Sequence, residues 1–455
     1  MLFFEYSFLF VFLPVVLLGY YALPGRLRNA WLFVASCAFY ACSSFTFLPI
    51  LLVSTLIDFQ LGKRLTLAKT PRGRRLFLIS SVVLNLGILG FFKYAGLFTS
   101  SISQIPGLES IPILSVTLPI GISFYTFQSM SYTIDLYRNQ ATRTRSFIDF
   151  ACYVTLYPQL IAGPIVRYQE VQDQLESRTH TATKFAQGIE LFVRGLAKKI
   201  LLADTAALLC SPLFDLDIPG FAPAWISVLL YSCQIYFDFS GYSDMAIGLG
   251  KMIGFEFPQN FNSPYKATSF ANFWQRWHMT LSRWLRDNLY IPLGGNRRGA
   301  GRMYINLALT MLLGGLWHGA AWNYVVWGAY HGSLLAIERF VAPPTGTVAP
   351  RTVPFRRAFV FLAVSLGWVF FRCDDIAHSG RWLRSMFLLD GLGRVDALAV
   401  LGLLPLLGIV FFRKNTSEIG GRYDLITTVF LLALFVASVF VAYGSTSSPF
   451  LYFRF

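Results

Sequence analysis

Five histidines occur in the 455-residue chain, and three of them stand in apolar, aromatic surroundings where an imidazole is costly to bury. His278 lies in FWQRWHMTLSRWLRDNLYIPLGG, His318 in MLLGGLWHGAAW and His331 in VVWGAYHG. An imidazole titrates near pH 6.5, so it can take the proton of a hydroxyl nucleophile at neutral pH. The competing reading of each is a hydrogen-bonded core side chain. Around His318, Gly314, Gly315 and Gly319 remove side chains and admit a second helix or a narrow ligand to the backbone, and Trp317, Trp322 and Trp327 are placed to wall such a passage. Close helix packing and aromatic anchoring would account for the glycines and tryptophans, but not for the histidine. His180, in RTHTATKF, and His378, in DDIAHSG, read as solvated loop residues.

Asp238 and Asp244 sit in CQIYFDFSGYSDMAIGLG, six residues apart and thus on different sides of a continuous helix, with Gly241 a candidate break between them. Two readings stand: pairing with Arg276, Arg283 or Arg286 to neutralise charge inside the protein, or lining a wet reaction chamber. No metal is expected, because there is no HExxH, no Cys/His cluster, and 40 residues separate His278 from His318. A serine nucleophile elbow is also missing. The six cysteines form no C-x-x-C pair and read as buried free thiols.

The elements that must position these groups are set by composition. With 55% apolar and only 13% charged residues, and a mean hydropathy of +0.54, the chain reads as an all-α polytopic membrane protein folded as one domain over 1–455. Apolar runs long enough to cross a bilayer, roughly 20 residues each, appear near 3–23, 76–98, 117–136, 147–166, 222–239, 303–316, 321–338, 357–371, 395–412 and 425–443. The stretch 30–62, with Pro49 near its middle, reads as a helical hairpin, and 184–212 and 267–290 as amphipathic or partly immersed helices. The first run has neither a basic start nor a small-residue cleavage site and reads as a retained helix. A net charge of +15 is concentrated in loops, above all Lys63, Arg64, Lys69, Arg72, Arg74 and Arg75. That pattern is positive-inside rather than a nucleic-acid patch, and it orients both termini outward.

DFSGYSDMAIGLG, FWQRWHMTLSRWLRDNLYIPLGGNRRG and MLLGGLWHGAAWNYVVWGAYHG resemble the signature stretches of the membrane-bound O-acyltransferase superfamily, in its bacterial branch containing alginate and peptidoglycan O-acetyltransferases. LPIGISFYTFQSMSYTIDLYR and LYPQLIAGPIVRYQE extend the likeness, which is strongest over 117–340. The resemblance implies a bundle of roughly 10–12 membrane helices with re-entrant or amphipathic additions, penetrated by a central tunnel. It also implies that the family's principal histidine is His318 and the branch's second histidine His278, while His331 matches a recurrent position of less defined role.

The expected activity is O-acyl transfer, with acetyl-CoA as donor substrate and no bound cofactor, toward an extracytoplasmic polysaccharide such as alginate. Peptidoglycan or cellulose is the alternative acceptor, and a transporter of a lipid-linked sugar or small metabolite the alternative class. Arg276, Arg283 and Arg286, with Arg297 and Arg298, are the candidates to meet CoA phosphates. An inner-membrane location, contact with lipid and an extracytoplasmic acetyltransferase partner follow from the resemblance. The chain ends in SSPFLYFRF, within the aromatic segment 445–455. This ending suits an interfacial anchor, and it also resembles the C-terminal motif of related acylation systems in which a tyrosine, here Tyr452, carries the acyl group.

Overall fold

A computed structural model describes residues 1–341, 349–387, 390–421, 423–444 and 450–451. Every extended regular element among them is helical, and no strand is present. The distribution of side chains is that of a protein solvated by lipid. Phe355, Phe412, Ile426 and Phe440 are each more than three-quarters exposed, while Thr55, Asp58, Ser81 and Ser232 are wholly buried. Water would penalise so much exposed apolar surface, whereas hydrocarbon favours it and drives polar groups inward to find partners. Four helical segments are long and apolar enough to cross a membrane: Gly25–Leu67, Pro71–Ser103, Pro350–Arg372 and Leu425–Gly444. Shorter apolar helices, Ser7–Ala22 and Ala397–Phe412, add to them. The protein is an all-α, multi-pass membrane protein.

Two compact units are distinguished, one comprising Met1–Arg194 with Tyr242–Pro258, the other Gly195–Gly241 with Gln259–Phe455. In the first unit the stretch expected as a hairpin resolves into helices Arg28–Ser44 and Leu48–Leu67, parted by a 3-10 turn at Phe45–Phe47, with Pro49 in the first turn of the second helix. Proline is tolerated there because the N–H it lacks has no intrahelical partner. Asp58 then ties three helices together. Its carboxylate accepts from Ser81 Oγ at 2.6 Å, from Asn85 Nδ2 at 2.7 Å and from Ser129 Oγ, and Ser81 in turn meets Thr133 at 2.9 Å.

Several expectations change. The run 147–166 is helical only over Phe147–Thr155. Pro158 and Pro164 cannot continue it, and a Cβ on Gly163 would come within 2.5 Å of Gln159 Cα, so residues 156–166 fold as buried turns. Apolar content identified burial there, but not a crossing. Conversely the run 222–239 extends to an unbroken helix, Phe221–Met252, about 48 Å long at 1.5 Å per residue. Gly241 does not break that helix. It permits close packing instead, because a Cβ there would lie 2.7 Å from the Gly195 carbonyl oxygen.

His180 is not a solvated loop residue. Its Nε2 meets the Tyr20 hydroxyl at 2.8 Å, which also accepts from Arg178 Nε at 3.0 Å and donates to the Ile253 carbonyl at 2.7 Å. One hydroxyl hydrogen serves Ile253, so the hydrogen between the other pair belongs to His180 Nε2. His378 likewise lies in a helix, Ile376–Met386, whose Asp375 cap accepts from the His378 amide at 2.6 Å. An aspartate three residues ahead, within DDIAHSG itself, is a helix-start signal.

The second unit is built around the helix pair Ala300–His318 and Trp322–Val341, joined by the short connection 319–321. A Cβ on Gly315 would fall 2.1 Å from the Tyr324 carbonyl oxygen, and one on Gly328 2.4 Å from that of Met311. Only glycine lets these backbones touch, and that contact sets how the helix ending at His318 packs on its neighbour.

Candidate active site

His318 is the last residue of its helix and is 3% exposed. Three aromatic rings surround it edge to face: Trp317 and Trp327, each at 5.1 Å between centroids, and Phe371 at 5.3 Å. His278 is fully buried and reaches the same place from a different kind of backbone. It caps the helix Met279–Leu285 with φ 42° and ψ 54°, a left-handed conformation that a non-glycine residue adopts at a cost of about 1–3 kcal/mol.

Asn260 holds it there. The Asn260 carbonyl accepts the Met279 amide at 2.9 Å, and its Oδ1 accepts from the Thr280 amide at 3.3 Å and the Thr280 hydroxyl at 2.9 Å. The same Oδ1 lies 3.2 Å from His278 Nδ1. Because that oxygen accepts, Nδ1 carries the hydrogen, and Nε2 is the basic nitrogen of the ring. The centroids of His278 and His318 are 6.4 Å apart, too wide for a direct bond between ring nitrogens.

A cavity of about 180 Å³ opens onto His318. Trp274, Leu281, Leu285, Gly314, Met311 and Trp327 form most of its apolar wall, and Ser282, Arg286 and Tyr290 supply polar groups. Arg286 is exposed and pairs with Asp287 at 2.6 Å. The cavity therefore has a cationic, accessible group and a buried imidazole on one apolar wall system. It suits a ligand with an anionic head and a slender, less polar reactive end.

The other sequence candidates are placed as follows. Trp317 is buried and stands 5.8 Å from His278, whereas Trp322 is 54% exposed at the start of its helix. Gly314 lines the cavity; Gly315 and Gly319 pack against Tyr324, the latter with a Cβ position 2.1 Å from its ring. His331 is buried among Trp327 at 4.8 Å, Trp274 at 5.3 Å and Trp368 at 6.3 Å, and its Nε2 has no hydrogen-bond partner among the described residues. Arg276 is engaged locally, donating to Asn272 Oδ1 at 3.0 Å and the Asn262 carbonyl at 3.1 Å. Arg283 is half-buried, and Arg297 and Arg298 are exposed.

Asp238 pairs with Lys199 at 2.8 Å rather than with any of the three arginines proposed for it. Lys199 is also 2.8 Å from Asp204. Asp244, half-buried on the same long helix, belongs to the first unit. Tyr452 lies outside the described residues. The two residues before it are buried: Leu451 donates its amide to Asp238 Oδ2 at 2.8 Å, and Phe450 stands 5.7 Å from Phe239. Asn260 and Lys199 were not recognised from the sequence. Nothing beside the amide in FPQNFNSPY marks it, and Lys199 falls in the stretch 184–212, which reads as amphipathic or partly immersed.

Comparison with known proteins places this geometry in a lineage. A family model described as MBOAT, membrane-bound O-acyltransferase family, matches residues 137–373. The chain is 42% identical to a probable alginate O-acetylase AlgI of Azotobacter vinelandii over 503 aligned residues, covering all of both chains. It is 43% identical to the probable alginate O-acetylase AlgI of Pseudomonas putida, again over the whole of both. It is 35% identical to a peptidoglycan O-acetyltransferase of Helicobacter pylori, over 98% of this chain and 96% of the relative. An imidazole in an apolar cavity, on a chain similar end to end to such enzymes, identifies this protein as an O-acyltransferase belonging to the membrane-bound O-acyltransferase family.

Proposed function

We propose that the chain takes an acetyl group from acetyl-CoA at the cytoplasmic face of a bacterial inner membrane and delivers it for O-acetylation of an extracytoplasmic polysaccharide of the alginate type. The observation that carries this reading is the cavity running between exposed Arg286 and buried His318. A CoA thioester is a large anion with a slender acyl-bearing arm. Its phosphates suit Arg286, with Arg283 and the exposed Arg297 and Arg298 as further candidates, and its thioester suits the apolar interior. The full-length similarity to two alginate O-acetylases favours alginate over peptidoglycan as the acceptor system.

In the proposed reaction the acceptor hydroxyl attacks the thioester carbonyl as its proton passes to His318. The tetrahedral intermediate then expels the CoA thiolate, which takes that proton back. General-base assistance of this kind is worth roughly 10²- to 10⁴-fold. His278, whose ring is fixed by Asn260 and whose Nε2 carries no hydrogen, leaves the single hydroxyl proton to His318 and shapes the acceptor side of the site. Trp327 lines the cavity, and its buried indole N–H has no hydrogen-bond partner among the described residues, so it is the donor suited to the oxyanion. His331, packed on Trp327, keeps that indole in place.

Tyr452 is the proposed first acceptor. A phenol has a pKa near 10, so its ester gives up the acetyl group more readily than a sugar ester does. An extracytoplasmic transferase partner then moves the group to the polymer. Both termini lie on the outer side in this arrangement.

Acetyl-CoA labelled in the acetyl group tests the reading. Purified protein in detergent should acquire label on its C-terminal peptide, Tyr452→Phe protein should not, and cells carrying that variant should make unacetylated alginate. Normal acetylation of alginate by the variant sinks the carrier role. Acetylation of peptidoglycan alone sinks the choice of polymer.

A further inference from the structure

The ion pair between Lys199 and Asp238 is more than charge neutralisation. Lys199 and Asp238 are 2% and 1% exposed, and Asp238 uses its two oxygens for different tasks. Oδ1 faces Lys199 Nζ at 2.8 Å, and Oδ2 accepts the Leu451 amide at 2.8 Å. Lys199 already has a second carboxylate, Asp204, also at 2.8 Å, so one cation meets two acids and Asp238 retains acceptor strength for the amide. The next residue, Phe239, stands 4.7 Å from His278 and 5.7 Å from Phe450. Phe450 and Leu451 are 1% and 6% exposed. Two consecutive positions on one helix therefore grip two consecutive positions near the chain end, the first through a charged hydrogen bond and the second through aromatic contact, one ring away from the histidine pair.

We infer that Asp238, oriented by Lys199, is a positioning residue that seats Phe450–Leu451 against Phe239, one ring from His278, and so sets the register at which the chain end meets the acyl-transfer site. The inference deepens the function proposed above and rests on it for its kinetic consequence, but the tether itself is independent of the acyl group carried. Leu451 is the residue before Tyr452, so the amide bond restrains the chain one residue from the proposed acceptor, through residues that do not line the donor cavity. A charge-assisted hydrogen bond of this kind corresponds to roughly a ten- to hundredfold effect on the transfer rate if it is needed only to align the acceptor.

Two measurements on the full-length protein in detergent test it. Carboxypeptidase digestion followed by intact mass should stop at or before Leu451 in the wild type, and should proceed past Phe450 in Asp238→Asn and in Phe450→Ala. Steady-state assays with acetyl-CoA should show turnover per folded molecule, with the folded fraction taken from size-exclusion profiles, lowered by roughly ten- to hundredfold in both variants with KM for acetyl-CoA unchanged. Asp238→Asn leaves Lys199 short of one partner, so if that protein is not recovered folded, Phe450→Ala, which leaves the ion pair intact, decides the matter. Equal trimming of wild type and variants overturns the tether. Unchanged turnover in a variant that is trimmed further overturns the positioning role. Wild-type protein that consumes no acetyl-CoA would defeat the proposed donor, while the trimming comparison would still report on the tether.

Discussion

His278 and His318 stand 6.4 Å apart, centroid to centroid, with their ring planes at 63°, and they arrive there by opposite means. His318 ends a 19-residue helix, so its position is set by how that helix packs on Trp322–Val341 through Gly315 and Gly328. His278 occupies a strained left-handed position between a loop and a short helix, and Asn260 holds both its backbone surroundings and its ring. One histidine is fixed by helix packing, the other by a local polar network. Their substitution should therefore fail in different ways.

For His318→Gln, which keeps volume and hydrogen bonding but cannot accept a proton, turnover should fall by roughly 10²- to 10⁴-fold with normal yield of folded protein. His278→Gln should lower turnover by a smaller factor, and Asn260→Ala should reproduce most of that loss by releasing the ring. Stopped assays with acetyl-CoA and size-exclusion profiles measure both quantities. Wild-type turnover in His318→Gln would remove it from the chemistry.

Arg286 should act on donor binding alone. Its guanidinium is exposed beside the cavity, so Arg286→Ala should raise KM for acetyl-CoA by roughly tenfold with little change in kcat, the signature of lost ground-state binding. Added salt should raise KM in the wild type more steeply than in the variant, because exposed charges are screened over about 8–10 Å at physiological ionic strength. Arg276→Ala should instead reduce the amount of folded protein, since Arg276 is spent on Asn272 and the Asn262 carbonyl. A raised KM in Arg276→Ala alone would reassign the donor contact.

The histidine blocks were legible because an imidazole within an apolar aromatic run is anomalous by itself. The residues that hold those histidines were not. Asn260 acts through a backbone carbonyl and a side-chain oxygen that face residues 18 to 20 positions later, and nothing in its own neighbourhood marks it. Lys199 is paired across 39 positions to Asp238, on a different helix, and a sequence offers only the sign of each charge. Helix ends are hidden for a related reason. Residues 156–166 are as apolar as a crossing, and hydropathy outweighs the local signals that the chain turns there, Pro158 and Pro164 and the close packing of Gly163 on Gln159. The helix Leu425–Gly444, by contrast, is exposed nearly throughout, and the apolar run 425–443 marks it almost to the residue, because lipid exposure leaves hydropathy as the main determinant.

His180 makes stability depend on pH. Burial, with the nearby positive charges of Arg28, Arg178 and Lys184, lowers its pKa from the ordinary 6.5. The folded protein thus keeps the ring neutral, donating to Tyr20, where the unfolded chain would bind a proton. Stability must fall as pH drops below about 6.5, because there the unfolded state binds more protons, and the fall ends once the folded site titrates too. Glu256 loses stability further down. Although burial opposes it, Lys251 and Lys184 hold its carboxyl below the usual range, so its contribution is present above pH 4.5 and fades as pH falls through the folded value. Thermal unfolding in detergent between pH 5 and 7.5 should show the first loss, and His180→Gln should flatten it. An unchanged slope in that variant would assign the dependence elsewhere.

Adjacent glycines provide the sharpest separation of cavity from scaffold. A Cβ on Gly314 would meet only the end of the Leu285 side chain, at 3.3 Å, and Gly314 lines the cavity beside His318. Leucine at that position can displace a flexible neighbour, and its bulk projects into space that the acyl arm would need. A Cβ on Gly315 would sit 2.1 Å from the Tyr324 carbonyl oxygen, a backbone atom that cannot yield unless the two helices part. Overpacking of this kind costs about 1–3 kcal/mol or more even when some relaxation is possible. Gly314→Leu should therefore yield normal amounts of folded protein that no longer turns over acetyl-CoA, whereas Gly315→Leu should yield little folded protein, and Gly315→Ala a folded protein with a lowered melting temperature and residual activity. Expression, thermal unfolding and turnover measured side by side read all three. An active Gly314→Leu enzyme would show that the acyl arm does not pass this wall, and a stable, inactive Gly315→Leu enzyme would move the constriction to the helix contact itself.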